Sequence, residues 1–149
     1  MIEREEWLCG QQRVWVEAPD LVRLELHGIF ALPEVDAYMP IIFDLGDRLG
    51  PFTILVDMRE LKSIPAVTRK RITNSKRIYP YRACAVYGAS FTLGVMVTMT
   101  FKAGRMLMPS TFPFPVAVFE GENDARAWLA PYRDQPAHAR RSSAPPSPL

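Results

Sequence analysis

The chain has 149 residues, 48% of them apolar, and a formal net charge of +2. That size fits one globular domain able to bury roughly two-thirds of its unfolded surface without metal or disulfide staples. The slight basic excess gives no case for nucleic acid, no apolar stretch is long enough for a bilayer span, and the acidic opening Met1-Ile2-Glu3-Arg4-Glu5-Glu6 lacks the apolar core of a secretory signal.

The two cysteines, Cys9 in a polar N-terminal segment and Cys84 in an apolar run, suggest no disulfide framework, which suits a reducing cytosol. A soluble, cytoplasmic protein is expected. Residues 1–11 read as an N-terminal extension, 12–133 as the domain and 134–149 as a tail.

Arg13 to Glu17 and Leu21 to His27 alternate apolar and polar residues, and Ala18-Pro19-Asp20 between them is turn chemistry. This predicts an antiparallel hairpin with one wet face, ended by Gly28. From Pro33 to Leu49, Val35, Tyr38, Met39, Ile42, Leu45 and Leu49 recur at helical spacing, so an amphipathic helix is expected, kinked or split at Pro40.

Phe52-Thr53-Ile54-Leu55-Val56-Asp57 is an unbroken apolar run closed by a carboxylate, as in a central strand covered on both faces. Ser63 as N-cap and Pro65 in the first turn predict a second helix from Pro65 to Tyr79, stopped by Pro80. Arg82 to Tyr87, closed by Gly88, reads as an inner strand parallel to the central one.

The segment from Phe91 to Phe101 alternates at period two, which speaks for a strand, while Ser90 before it suits a helix N-cap. Pro115 to Phe119 predicts a short strand and Glu122 to Tyr132 a closing helix with Ala125, Trp128 and Leu129 on one face. From Asp134 the composition turns to Pro, Ala, Ser and Arg, which buries no core and predicts a disordered tail.

Ile54-Leu55-Val56-Asp57 with Leu61, then Ala83 to Gly88 with Ser90, then Phe119 with Ala125, Ala127, Trp128 and Leu129 form an ordered set. Together they resemble the SpoIIAA-like group of STAS domains, anti-sigma-factor antagonists and lipid-carrying CRAL-TRIO domains. The resemblance runs from Val14 to Tyr132. It implies an α/β fold with a mostly parallel central sheet of about five strands, an N-terminal antiparallel hairpin and about four helices, and it favours a helix over 91–101. In the antagonists a phosphorylatable serine follows the central strand. Here the loop is Ser63-Ile64-Pro65-Ala66-Val67, and the matching positions Pro65, Ala66 and Val67 carry no hydroxyl, so that switch is expected to be absent and Ser63 to be a helix cap.

Winding 65–79 as a helix sets Arg69, Lys70, Lys76 and Arg77 on one arc and Ile64, Val67, Ile72, Ile78 and Tyr79 on the other. The basic arc is either a plain solvated face or a docking face for an acidic protein or anionic headgroups. Arg71 projects from the apolar arc, and Asp57 is its expected partner in a structural ion pair. As a helix, 91–101 is apolar nearly all round, with Met96, Met99, Met106 and Met108 in or just after it. Either the sheet and the 106–114 loop cover both its sides, or it forms a subunit interface or an apolar ligand pocket in which Met96 and Met99 are partner contacts.

Enzymatic chemistry finds little support. His27 lies on the wet hairpin face and His138 in the tail, and the sequence holds no metal-ligand spacing, phosphate loop or dinucleotide fingerprint. Cys84 is expected buried and inert, and Gly88 and Gly94 flank a helix start that could hold an anion. No catalytic residue, cofactor or metal is therefore expected. The residues point to a non-enzymatic protein-interaction or regulatory module that self-associates as a homodimer; the alternative is a small apolar-ligand or lipid-binding domain.

Overall fold

Alternating side chains build the N-terminal part of the sheet. In the computed structural model, which describes residues 5–133, β1 (Glu6–Cys9), β2 (Gln12–Ala18) and β3 (Leu21–Ile29) pair antiparallel. Then follow α1 (Leu32–Leu49), β4 (Phe52–Ser63), α2 (Ala66–Thr73), β5 (Tyr81–Tyr87), α3 (Phe91–Leu107), β6 (Val116–Phe119) and α4 (Glu122–Arg133). The expected tail 134–149, with His138, lies outside the described residues.

The six strands lie side by side in chain order, parallel from β3 to β6. Right-handed crossovers that each advance one strand in the same direction leave their helices on one face. Residues of α1, α2 and α3 accordingly share the larger core with Leu24, Ile54, Val56 and Val86. Among the described residues only α4 packs on the other face, where Ala125 and Leu129 meet Leu21, Leu55, Ala83, Ala85 and Tyr87.

The central strand is twice as long as its apolar run. β4 continues past Asp57 to Ser63, pairing with β3 through irregularities after Glu25 and Gly28, while β5 stops opposite Asp57 at Tyr87. Beyond that point β4 has one partner, so the stretch is two-faced: Met58 and Leu61 are buried and Arg59, Glu60 and Lys62 exposed. Mixed polarity hid these residues from a search for a buried strand.

Other boundaries move for equally local reasons. Ser63 ends β4 and Pro65 takes the N-cap position, so Ser63 is not the helix cap. Helix α2 stops at Thr73 rather than Tyr79, because the Ser75 hydroxyl donates to the Arg77 carbonyl and accepts from the Arg77 N–H, a side-chain turn that competes with helix. Tyr79 then turns inward, stacks between Phe43 and Tyr81 and donates to the Ile72 carbonyl at 2.6 Å. Pro40 does not split α1, whose Met39, Ile42 and Phe43 are buried around it. Over 91–101 the helix prevails: Ser90 Oγ accepts from the Leu93 N–H at 3.2 Å, and β5 already has neighbours on both sides.

Most of what the sequence reading leaves as an extension, residues 1–11, joins the fold. Its β1 forms the sheet edge, and Cys9 is buried rather than polar-exposed. The join is made by Gln12, which is fully buried. Its Oε1 accepts from the His27 N–H at 2.6 Å, and its Nε2 donates to the His27 and Ile29 carbonyls and to Glu34. Glu34 also accepts from the Ala31 and Gln11 N–H groups, tying the start of α1 to the first hairpin. Gln12→Ala strands several of these buried groups, so chemical denaturation should show a loss of about 2–3 kcal/mol.

Candidate docking surface

Between Leu61 and Phe119 the sequence contains no Asp or Glu, while it holds nine Lys and Arg. The near-neutral total conceals this, because every acid lies before or after that stretch. Two of the nine are neutralised from α1: Arg71 bonds Asp36 at 2.9 Å and Arg77 bonds Asp47 at 2.9 Å. Arg77 also lies over the Phe43 ring. Arg69 turns inward, its Nε donating to the Ile64 carbonyl, and Arg82 donates to the carbonyls of Tyr132 and Arg133. Among the described residues Lys62, Lys70, Lys76, Lys102 and Arg105 form no ion pair. The four predicted arc residues are thus divided: Lys70 and Lys76 project free, Arg77 is tied to α1, and Arg69 is half-buried.

Helix α3 buries only Leu93, Val97 and Gly104 fully. On the opposite side Phe91 is 87% exposed, Val95 43%, Met99 64% and Met106 83%. Positions 91, 95, 99 and 106 fall on one narrow arc at the helical period, with Lys102 inside it and Arg105 at its flank. The 106–114 loop does not cover this stripe. Its Phe112 and Phe114 turn under the helix into the core, Phe112 closing on Gly104, where an added Cβ would sit 3.1 Å from the ring. Met96 and Met99, grouped by sequence, are parted: Met99 joins the outward stripe and Met96 the cavity beneath. Val67 and Ile78, expected under α2, are also exposed.

That cavity lies between α3, α1 and the sheet, has a volume of about 80 Å³, and is bounded by Leu26, Val86, Met96, Val97, Tyr81 and Phe101 among others. Its lining is almost wholly apolar; the hydroxyls of Tyr38 and Tyr81 bond each other at 2.7 Å. Burial pushes the Cys84 thiol beside it up to about 12, and Cys84 and Cys9 are both free and buried.

The expected pairing of Asp57 with Arg71 does not form. Asp57 instead takes Arg59, two residues along the same strand: Oδ1 accepts from the Arg59 N–H at 2.9 Å and Oδ2 from Nη2 at 2.8 Å. Arg71 lies beyond the opposite face and finds Asp36 because α2 packs on α1. Gly88, at φ 79°, lets the Arg59 stem pass; a Cβ there would lie 2.3 Å from Arg59 Cγ. Burial alone would raise the Asp57 carboxyl, but the Arg59 bonds hold it below its ordinary value.

The same face continues as an ionic lattice. Buried Arg23 donates to the Tyr87 hydroxyl at 2.8 Å, and Tyr87 donates to Glu122 at 3.3 Å. Arg126 forks onto Glu17 with two bonds of 2.8 Å and reaches Glu122 at 2.7 Å. The guanidiniums of Arg13 and Arg23 lie over the Trp15 ring, 4.5 and 5.0 Å from its centre. His27 bonds Glu25 at 3.0 Å on the hairpin face. Each of these carboxylates has an ionic or hydrogen-bond partner.

Among the described residues no three His, Cys, Asp or Glu cluster as metal ligands, and no helix is long and apolar enough to cross a membrane. No protein-family model matches the sequence, and no curated protein does. Among solved structures the chain is similar to an uncharacterized protein of the DUF3478 family from Shewanella loihica, described as having a SpoIIAA-like fold. The two are 14% identical with a TM-score of 0.50, over 85% of this chain and 92% of that one. The fold is SpoIIAA-like. The order of its elements agrees with the resemblance read from the sequence, and the sheet has six strands rather than about five.

In this SpoIIAA-like domain the lattice should make stability acid-sensitive. The Arg126 bond is the chief reason that Glu17 is lowered to about 2, and Glu122 and Asp57 are lowered as well. A depressed carboxylate stabilises the fold above its unfolded pKa and loses that contribution as pH falls through its folded value. Unfolding free energy should therefore decline from about pH 5 toward about pH 2, and Arg126→Gln should flatten that decline in denaturant titrations.

Proposed function

We propose that this SpoIIAA-like chain is a non-enzymatic interaction module of regulatory type, working through the outer face of α3 and the cations beside it. The observation that carries the reading is the uncovered stripe of Phe91, Val95, Met99 and Met106, four large apolar side chains on the water side of a helix that already has a core side. A lone exposed apolar residue needs no explanation, but a contiguous row marks a contact surface.

Self-association belongs to this reading. Two copies meeting through their α3 stripes bury the apolar row of each, and an isologous contact also brings together two faces that both carry Lys102 and Arg105 and no acid. Like charges oppose that contact, so it strengthens as salt screens them.

The cavity under α3 supports a second reading, an apolar-ligand domain. Magnitude favours the first: ligand pockets run from about 300 Å³, and even a cavity of about 150 Å³ takes only a molecule of benzene's size. A space of about 80 Å³ admits a lipid chain only if α3 moves away. A copurified lipid found by native mass spectrometry would favour the ligand reading.

Light scattering behind size-exclusion chromatography tests the module. The mass of the full chain should rise with concentration, more strongly at about 500 mM than at about 50 mM salt. Phe91→Ser with Met99→Ser, both at exposed sites, should hold it monomeric with unchanged stability. A strict monomer under all conditions, or a dimer indifferent to the double variant, would refute self-association through this face.

A further inference from the structure

The charge around the α3 stripe identifies a partner that a soluble self-contact does not satisfy. We infer that this face docks peripherally on an anionic lipid bilayer, with Phe91, Met99 and Met106 entering the interface and Lys102 and Arg105 at the headgroups. The inference rests on the docking reading of the same face and names a partner for it.

Three observations carry it. First, α3 has no acidic residue, nor has any position from Leu61 to Phe119, so no fixed negative charge of the α2 and α3 elements is presented to an anionic plane. Second, the acids of α1 that could neutralise the surface are already used: Asp36 and Asp47 hold Arg71 and Arg77, leaving Lys62, Lys70, Lys76, Lys102 and Arg105 without ion pairs among the described residues. Third, the apolar groups protrude. Phe91 and Met106 are more than four-fifths exposed, at opposite ends of a 17-residue helix.

A bilayer accepts such a row without matching its shape. Apolar side chains enter the acyl boundary, while the long chains of Lys102 within the row and Arg105 at its flank reach out to phosphate oxygens. A protein partner would need a complementary groove about as long as α3 lined with carboxylates; a second copy offers Lys102 and Arg105 instead. Charge complementarity therefore selects the anionic surface. Neither the apolar row nor the cations suffice alone, as peripheral anchoring generally needs two signals.

Vesicle co-sedimentation with the full chain tests this. Vesicles of phosphatidylcholine with phosphatidylserine should pellet the protein, vesicles of phosphatidylcholine alone should not, and rising salt should release it. Lys102→Ala and Arg105→Ala should each weaken partitioning roughly fivefold, as expected for one cation at an anionic surface. Phe91→Ser with Met99→Ser should also release the protein. Leu8→Ser, at an equally exposed site on β1, should not. No pelleting, equal pelleting on both vesicle types, or pelleting indifferent to the α3 variants would overturn the inference. If vesicles fail to bind while the α3 double variant still abolishes self-association, the module reading survives with a protein partner. If the double variant changes neither, both are lost.

Discussion

Burial of β4 on both faces is the constraint on which the rest of the molecule depends. Phe52, Ile54 and Val56 look toward the helices of the first three crossovers, while Thr53, Leu55 and Asp57 look the other way, and all six are buried. A strand so placed needs cover on each side, yet strands added in chain order put every crossover helix on the same side. Among the described residues the second face has only the helix α4, which packs on β4, β5 and β6 and meets the hairpin at its turn end, through Leu21 and the Arg126–Glu17 bonds. Charged and aromatic side chains finish that face: Trp15 with the guanidiniums of Arg13 and Arg23 over its ring, and Arg23 linked through Tyr87 to Glu122. Arg23 and Asp57 are buried ions for this reason, and their partners offset the desolvation that would otherwise make them costly.

The same strand order has a different effect at the far edge. Helix α3 is the last crossover, lying over β6 with α2 to one side. Its inner arc is served by the core and by Phe112 and Phe114 returning beneath it, but among the described residues no later element lies on that face over its outer arc. Topology alone leaves a surface-exposed helix there, and an ordinary sequence would make its outer side polar. This one makes it Phe, Val and Met around a lysine. That discrepancy between position and composition is what gives the face its functional meaning.

Much of this was legible in the residues. Alternation from Arg13 to His27 marked the hairpin, the apolar run from Phe52 to Val56 marked the doubly covered strand, and helical spacing from Val35 to Leu49 marked α1. The lack of acids between Leu61 and Phe119 was equally open to inspection, but whole-chain charge and a window the size of one helix both average it away. The Asp57 assignment failed because distance along a helical wheel says nothing of which sheet face a helix covers. Arg59, two positions from Asp57, shares its side of the strand and needs no crossover to reach it.

The sequence by itself marked the hairpin from Arg13 to His27, α1 and the apolar half of β4, because apolar periodicity is a local property written into each segment, while the SpoIIAA-like arrangement and the helix over 91–101 were implied by resemblance. Only the tertiary structure decided which apolar residues stay wet. Phe91 and Phe112 are the same residue type, yet one points to water and the other closes on Gly104. The difference lies in which elements remain to pack over each position, a property of strand order rather than of any window of residues. For the same reason the basic residues from Arg69 to Arg77 separated into tied and free cations only once α1 had been laid beside α2.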